Sequence, residues 1–340
     1  MIIPIDKPTL KRKDMAGVLQ SMVDDSIGPG IYSSDFLTSL SSLLHTKSYS
    51  IALRSYVDAI YYSLKSLNLA PQSTVGVTSL SPYLYKMVIE RLQLKSYIFD
   101  IDPIHKSFNE VELNNSLISI DALLVYEPYG VISPIDFTQV DVPIIVDISQ
   151  SISSGSGDEV REGIDIFILS FEMNDIMSTG GGAAIIINNE EFGNNIKEEI
   201  TSLYRYIGLS DLNSALGIIQ IANLSINLNK RRDIYRIYLA ASGRNRHEVF
   251  AKVDIDYNIN GYSFLLIVDG KIEEAINFAK KYEVSTALAF ENSIIKDQLD
   301  RYDLFPNSIV IINRTIRFPL YPFLSAVDVK KIERVISQLP

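Results

Sequence analysis

Two strand-end residues carry the first chemical signal in this chain. Asp147 lies near the end of the apolar run Pro143–Ile148 and is followed by Ser149 and Gln150. Ser170 ends the next run, Ile164–Leu169, and leads through Phe171 to Ser178-Thr179-Gly180-Gly181-Gly182. An acid at the end of a wholly apolar strand is partly desolvated and needs a partner. That partner is either a ligand group or the backbone N–H groups of the following turn, which a capping Asp accepts. The glycines let the backbone turn tightly or approach a ligand closely. The plainer reading is a hairpin turn into the run Ala183–Ile187. It is not a phosphate-cradling P-loop, because no Lys-Ser/Thr follows the glycines.

Composition removes several other chemistries. The chain has 340 residues, 31 basic and 41 acidic side chains and a formal net charge of -10. An acidic chain of this kind is not expected to bind nucleic acid, which calls for a basic face. There is no cysteine, so disulfides, thiolate nucleophiles and cysteine-ligated metals are excluded. The three histidines, His45, His105 and His247, are scattered and read as surface or loop residues, so no metal site is expected. The chain meets charge and proline by Asp6-Lys7-Pro8, and its apolar runs stop at six or seven residues. The expectation is a cytoplasmic protein without signal peptide or membrane span.

The elements that must position Asp147 and Ser170 follow from patterning. Val75–Thr78, Tyr97–Ile101, Ala122–Tyr126, Pro143–Ile148, Ile164–Leu169 and Ala183–Ile187 are apolar on consecutive residues. Such runs suit strands buried on both faces of a parallel sheet. Helical spacing over Tyr56–Leu67, Leu84–Leu94 and Glu110–Leu117 supplies the crossovers of an open α/β sheet. No helix fits between Asp165 and Asn188, which predicts a hairpin and one antiparallel strand. Ser210–Tyr238 reads as one long helix carrying Lys230-Arg231-Arg232 on a solvated face. Beyond it come strands at Val249–Ile255, Tyr262–Val268, Val284–Ala289 and Ile309–Phe318 and helices at Ile272–Tyr282 and Val327–Leu339, a smaller α+β unit. The expected division is a large α/β domain over 1–225 and a small C-terminal domain over 226–340, joined by a helix at about 210–240.

The order and spacing of these motifs resemble the DegT/DnrJ/EryC1/StrS family, sugar aminotransferases of fold type I that use pyridoxal phosphate. The family pattern is Asp-Ala-Ala-Gln, then Ser-Phe, a lysine five residues after the serine, and Thr-Gly-Glu-Gly-Gly. Here the stretches read Asp147-Ile148-Ser149-Gln150, Ser170-Phe171-Glu172-Met173-Asn174-Asp175 and Thr179-Gly180-Gly181-Gly182. Ile3–Leu10 looks like the family's opening strand, Val75 through Pro103 like its strand–helix–strand, and Tyr129-Gly130 like its Tyr-Gly turn. Ser210–Gly217 with Gln220 and Leu224 resembles the start of its long helix, and Pro319–Ser325 its Pro-Leu-Tyr-Pro ending. The resemblance implies a fold type I architecture: a large domain with a mainly parallel seven-stranded sheet between helices, plus a small C-terminal α+β domain. It also implies a homodimer.

Carried over by position, the resemblance gives Asp147 the pairing with the pyridinium nitrogen, Gln150 the ring hydroxyl region and Ser170 the phosphate. The aromatic that stacks on the ring falls at Pro82, with Tyr83 beside it as substitute. The lysine position is Asp175, and no lysine occurs from Ser107 through Ile196. A carboxylate cannot form an imine. The family's Gly-Thr phosphate loop falls at Tyr56-Val57, its partner-subunit loop at Tyr204–Gly208 without the Asn and Arg, and its glutamate at Gly181. A phosphate monoester carries nearly two charges and needs several donors, so Ser170 alone is a poor anchor. Tyr56, Tyr61 and Tyr62 read as core and dimer packing.

Three readings follow. The first is a member inactive in transamination, with no covalently bound cofactor, serving as a binding or regulatory subunit in nucleotide-sugar or polysaccharide metabolism. The second is an enzyme with an altered site for PLP or PMP (pyridoxal or pyridoxamine phosphate) that holds the amine form without a covalent bond, as dehydratase relatives do, with Asp175 as a general base if burial raises its pKa toward neutrality. The third is an ordinary sugar aminotransferase.

Overall fold

In strand β4 (Ala122–Tyr126) successive side chains enter opposite cores, Leu123 and Val125 one and Ala122, Leu124 and Tyr126 the other. The same alternation runs through β5 (Ile144–Asp147) and β7 (Ala183–Ile187). The computed structural model describes residues 2–46, 48–116, 119–155, 161–251 and 258–340. With β1 (Tyr49–Leu53), β2 (Thr74–Thr78), β3 (Lys95–Phe99) and β6 (Ile166–Ser170) these strands form a seven-stranded sheet in the order β1-β7-β6-β5-β4-β2-β3. Neighbours from β6 through β3 pair in parallel, whereas β7 is antiparallel to both β6 and β1. The expected hairpin is therefore β6–β7.

One face of the sheet is covered by α3 (Tyr56–Ser66), α4 (Tyr83–Arg91) and α6 (Glu190–Ile207), the other by α2 (Ile31–Leu43), α5 (Glu110–Ser116) and the start of α8 (Leu224–Ser242). Helix α1 (Met15–Val23) lies N-terminal to these. Caps fix several starts. The Ser55 hydroxyl accepts the Asp58 N–H at 3.0 Å before α3, and Ser210 accepts the Asn213 N–H at 3.3 Å before α7 (Asp211–Ala222).

A second, wholly antiparallel sheet is built from β8 (Glu248–Val249), β9 (Phe264–Ile267), β10 (Ala287–Leu288) and β11 (Thr315–Phe318) in the order β10-β11-β9-β8. It packs with α9 (Ile272–Lys281), α11 (Ala326–Ser337) and the second half of α8, whose Tyr235 and Tyr238 meet Phe264 edge-on. Helix α8 thus contributes Leu224 and Leu228 to the large core and Ile234, Tyr235 and Tyr238 to the small one.

Several expectations are corrected. The single helix over Ser210–Tyr238 is two, because Asn223 leaves helical geometry (φ -99°, ψ 0°) while its side-chain amide donates to the Ile219 carbonyl at 2.8 Å. The strand expected over Ile309–Phe318 begins only at Thr315. Pro306 opens a helix, α10 (Pro306–Arg314), whose Ile309 and Ile312 are buried, so tertiary packing overrides β-branched propensity. No strand forms over Ile3–Leu10 among the described residues; Ile3 makes an isolated parallel bridge to Val284. Of the strand expected at Val249–Ile255, the structure keeps Glu248–Val249, and 252–257 lie outside the described residues. Arg231 is not solvated. It is 3% exposed, and its guanidinium donates to the carbonyls of Leu320 (2.9 Å), Gly261 and Tyr262. His247 is likewise buried.

Directly after β4, the fully buried Glu127 takes a bidentate bond from Arg161, at 2.6 and 3.0 Å. It also accepts the Ser133 N–H at 3.0 Å and the Ser151 hydroxyl.

Candidate functional site

The parallel register places Tyr126 beside Asp147, and Asp147 beside Ile168, so β4, β5 and β6 deliver their C-terminal ends to one place. Ligands of open α/β sheets bind beyond these ends. Asp147 is 1% exposed. Its Oδ1 accepts the Ser149 N–H at 2.9 Å and the Ser149 hydroxyl. Its Oδ2 accepts the Tyr85 hydroxyl at 2.6 Å and the Tyr56 hydroxyl. Burial pushes the Asp147 carboxyl above its ordinary range, against the lowering effect of Ser149, Tyr56 and Tyr85. Ser149 ties the two strands together, since its oxygen also accepts the Ser170 N–H at 2.8 Å.

Ser170 and Asp175 meet in the turn that leaves β6. The Asp175 carboxylate accepts the Glu172 N–H at 2.8 Å and the Tyr262 hydroxyl at 3.1 Å. The Ser170 hydroxyl bonds the same carboxyl and accepts the Glu172 N–H at 3.3 Å. Asp175 is 7% exposed, and burial pushes its carboxyl up to about 7, with Asp147 adding repulsion. Gln150 accepts the Tyr129 N–H at 2.9 Å and bonds the Tyr126 hydroxyl. Asp147, Ser170 and Asp175 therefore share one buried network through Ser149, with the half-buried Gln150 beside it against Tyr126 and Tyr129.

Tyr83 does not join it. Its N–H donates to the Asn292 carbonyl at 2.7 Å, and Lys296 sits 4.1 Å over its ring with Lys86 at 5.8 Å. Tyr85, two residues on, faces the carboxylate instead; residues i and i+2 of a helix point to different sides, so only one of the pair can. Tyr56 packs against the large core as expected, and its hydroxyl also enters the network at Asp147. Tyr61 and Tyr62 do pack, as an edge-to-face pair 5.2 Å apart. Spacing does not single out Tyr85, Ser149 or Tyr262 as site residues, whereas Tyr56 stands where the family resemblance places its Gly-Thr phosphate loop.

Thr179–Gly182 forms the β6–β7 turn, with the Phe171 N–H on the Gly182 carbonyl at 2.9 Å and the Asn213 side chain on the Thr179 carbonyl at 2.7 Å. Gly182 has φ +104°, and a Cβ there would lie 2.5 Å from Leu209 and 3.0 Å from the Leu53 carbonyl. Gly182→Ala is expected to cost about 2 kcal/mol in chemical denaturation, because strain and clash coincide. Tyr204–Gly208 is the last turn of α6 and its cap, with the Tyr204 hydroxyl 2.7 Å from Ser33.

Beside the network lies a cavity of about 280 Å³ lined by Tyr126, Tyr129, Gln150, Asn174, Tyr262 and Arg317, among others. Arg317 is held there by a bidentate bond to Asp6, one arm at 2.8 Å. No lysine lines this cavity. Among the described residues no group of acids and histidines could hold a metal ion, and no helix is long and apolar enough to cross a membrane.

A mainly parallel seven-stranded sheet between helices, with one antiparallel strand and a small second sheet, is the fold type I aminotransferase architecture. The chain belongs to the DegT/DnrJ/EryC1/StrS aminotransferase family, whose model matches residues 8–339. Spr1654 from Streptococcus pneumoniae in its PMP-form superposes with a TM-score of 0.88 at 16% identity, covering 100% of this chain and 98% of that one. The aminotransferase TlmJ from Streptoalloteichus hindustanus gives 0.88 at 18% identity, over 99% of this chain and 98% of its own. An uncharacterized protein of Methanocaldococcus jannaschii, MJ1066, is 21% identical over 99% of this chain and 97% of its own length. At these identities the likeness is one of fold.

Proposed function

We propose that this family member does not transaminate and serves as a binding or regulatory subunit in nucleotide-sugar or polysaccharide metabolism. The observation that carries the reading is Asp175. The position to which the family resemblance assigns the Schiff-base lysine is Asp175, whose carboxyl group is buried and fixed by Tyr262, Ser170 and the Glu172 N–H. Imine chemistry needs an amine nucleophile, and a carboxyl group supplies none.

The other residues do not fit pyridoxal phosphate. Both oxygens of Asp147 already accept hydrogen bonds from this chain's own donors. The Ser170 hydroxyl is engaged with Asp175 and Glu172. At the start of α3 the Asp58 N–H is taken by Ser55, and the Asp58 carboxylate already faces the positive end of the helix dipole. A phosphate dianion would meet an engaged Ser170 hydroxyl, an engaged Asp58 N–H and the added negative charge of Asp58.

One observation favours the second reading, a base acting on a non-covalently held amine cofactor. The Asp175 carboxyl lies at about 7, where a general base works best. Spectroscopy separates the two. Purified protein mixed with pyridoxal phosphate is expected to develop no imine absorbance band, to retain no borohydride-fixed adduct, and to transfer no amino group to a nucleotide-linked keto-sugar. A fixed adduct or measured transfer refutes the reading; saturable binding of pyridoxamine phosphate moves it to the second.

A further inference from the structure

The geometry points to Tyr56 as a built-in occupant of the cofactor position: its phenol fills the space between the start of α3 and Asp147 and supplies the proton that a ring nitrogen would otherwise bring to that carboxylate. The inference rests on the reading of the site given above and goes further, because it says what replaces the cofactor rather than only that the nucleophile is missing.

Three observations support it. Tyr56 is the first residue of α3, and its hydroxyl reaches Oδ2 of Asp147 at the end of β5, so one side chain bridges the two places to which the family resemblance assigns phosphate and pyridinium. Asp147 is 1% exposed and would be an unpaired buried carboxyl without its donors. Tyr56 with Tyr85 on Oδ2 and Ser149 on Oδ1 satisfies it from within the chain. The phenol is also held as a proton donor. Burial, and then the charge of Asp147, push its pKa well above the ordinary tyrosine value, so it stays protonated at neutral pH. A glycine at position 56 would leave that space open, whereas a tyrosine closes it.

The inference predicts that two changes are needed to open the site, and that neither suffices alone. Asp175→Lys supplies an amine whose nitrogen can attack the cofactor aldehyde, forming a C=N bond with loss of water. Tyr56→Gly vacates the space. The experiment measures pyridoxal phosphate binding to the wild-type chain, each single variant and the double variant, by imine absorbance and by mass after borohydride reduction. The double variant is expected to bind at least roughly tenfold more tightly than Asp175→Lys alone, equivalent to about 1.4 kcal/mol, with the reduced adduct at position 175. If Asp175→Lys alone binds as well as the double variant, or if a folded double variant does not bind, the inference is overturned. Should Tyr56→Gly fail to give a cooperative melt, Tyr56→Ala is read the same way. Tyr56→Phe in the Asp175→Lys background keeps the ring and is expected to stay closed; binding there equal to that of the glycine variant overturns the inference too. A wild-type chain that itself forms an imine would refute the function proposed above and is a distinct outcome.

Discussion

Arg161→Ala is expected to destabilise the folded chain by about 3–5 kcal/mol, because it leaves a buried carboxylate without its counter-charge. Glu127 has no exposed surface, and the two guanidinium bonds at 2.6 and 3.0 Å supply its only positive charge among the described contacts. The Ser133 N–H and the Ser151 hydroxyl remain, but two neutral donors do not offset the desolvation of an ion. Urea denaturation at neutral pH measures the loss. The companion variant Glu127→Gln in the Arg161→Ala background removes the stranded charge and is expected to recover part of the stability. A loss below 1 kcal/mol in Arg161→Ala would show that water reaches Glu127 and that the pair has little worth.

The second large effect is a dependence on pH set by Asp175. Its carboxyl moves from an ordinary 3.8 to about 7 on folding, so the folded chain holds a proton there that the unfolded chain has released. Stability contributed by such a group is full below 3.8, falls as pH rises through the interval, and is lost above about 7. The whole effect is about 4 kcal/mol, at roughly 1.4 kcal/mol for each pH unit crossed. Asp175→Asn mimics the protonated form and removes the titration. Relative to wild type, the variant is therefore expected to gain about 4 kcal/mol between pH 4 and pH 8, most of it between pH 5 and pH 7. His247 has its pKa lowered by burial, which works in the opposite direction, but it is common to both proteins and cancels in the comparison. A variant-minus-wild-type difference that stays flat across this range would place Asp175 in contact with water.

Much of this arrangement is legible in the sequence because strands buried on both faces leave an unmistakable trace. The continuous apolar runs of β4, β5 and β7 predict a covered parallel sheet, and the lack of a helix between Asp165 and Asn188 predicts the antiparallel β7. Asp147 and Ser170 could be paired because each ends such a run, and adjacent parallel strands bring their ends together. What stays hidden depends on distance in the chain. Tyr56 and Tyr85 precede Asp147 by 91 and 62 residues, and no local pattern records that their hydroxyls converge on one oxygen. Arg231 was readable in principle. Leu224, Leu228, Arg231, Tyr235 and Tyr238 fall on one helical stripe, and all are buried, but the flanking Lys230 and Arg232 suggested a solvated cluster. The β-branched run Ile309–Ile312 misleads for another reason: propensity alone cannot tell a buried strand from a buried helix.

The closed carboxylate at Asp147 has a consequence for how the chain fares in a cell. A protein that binds a ligand only when folded gains stability with ligand concentration, and its folded population rises and falls with supply. Here the central acid is satisfied by Tyr56, Tyr85 and Ser149 before any small molecule arrives. If Tyr56 holds the cofactor position as proposed, the folded population of this chain is expected to stay constant as vitamin B6 supply rises and falls.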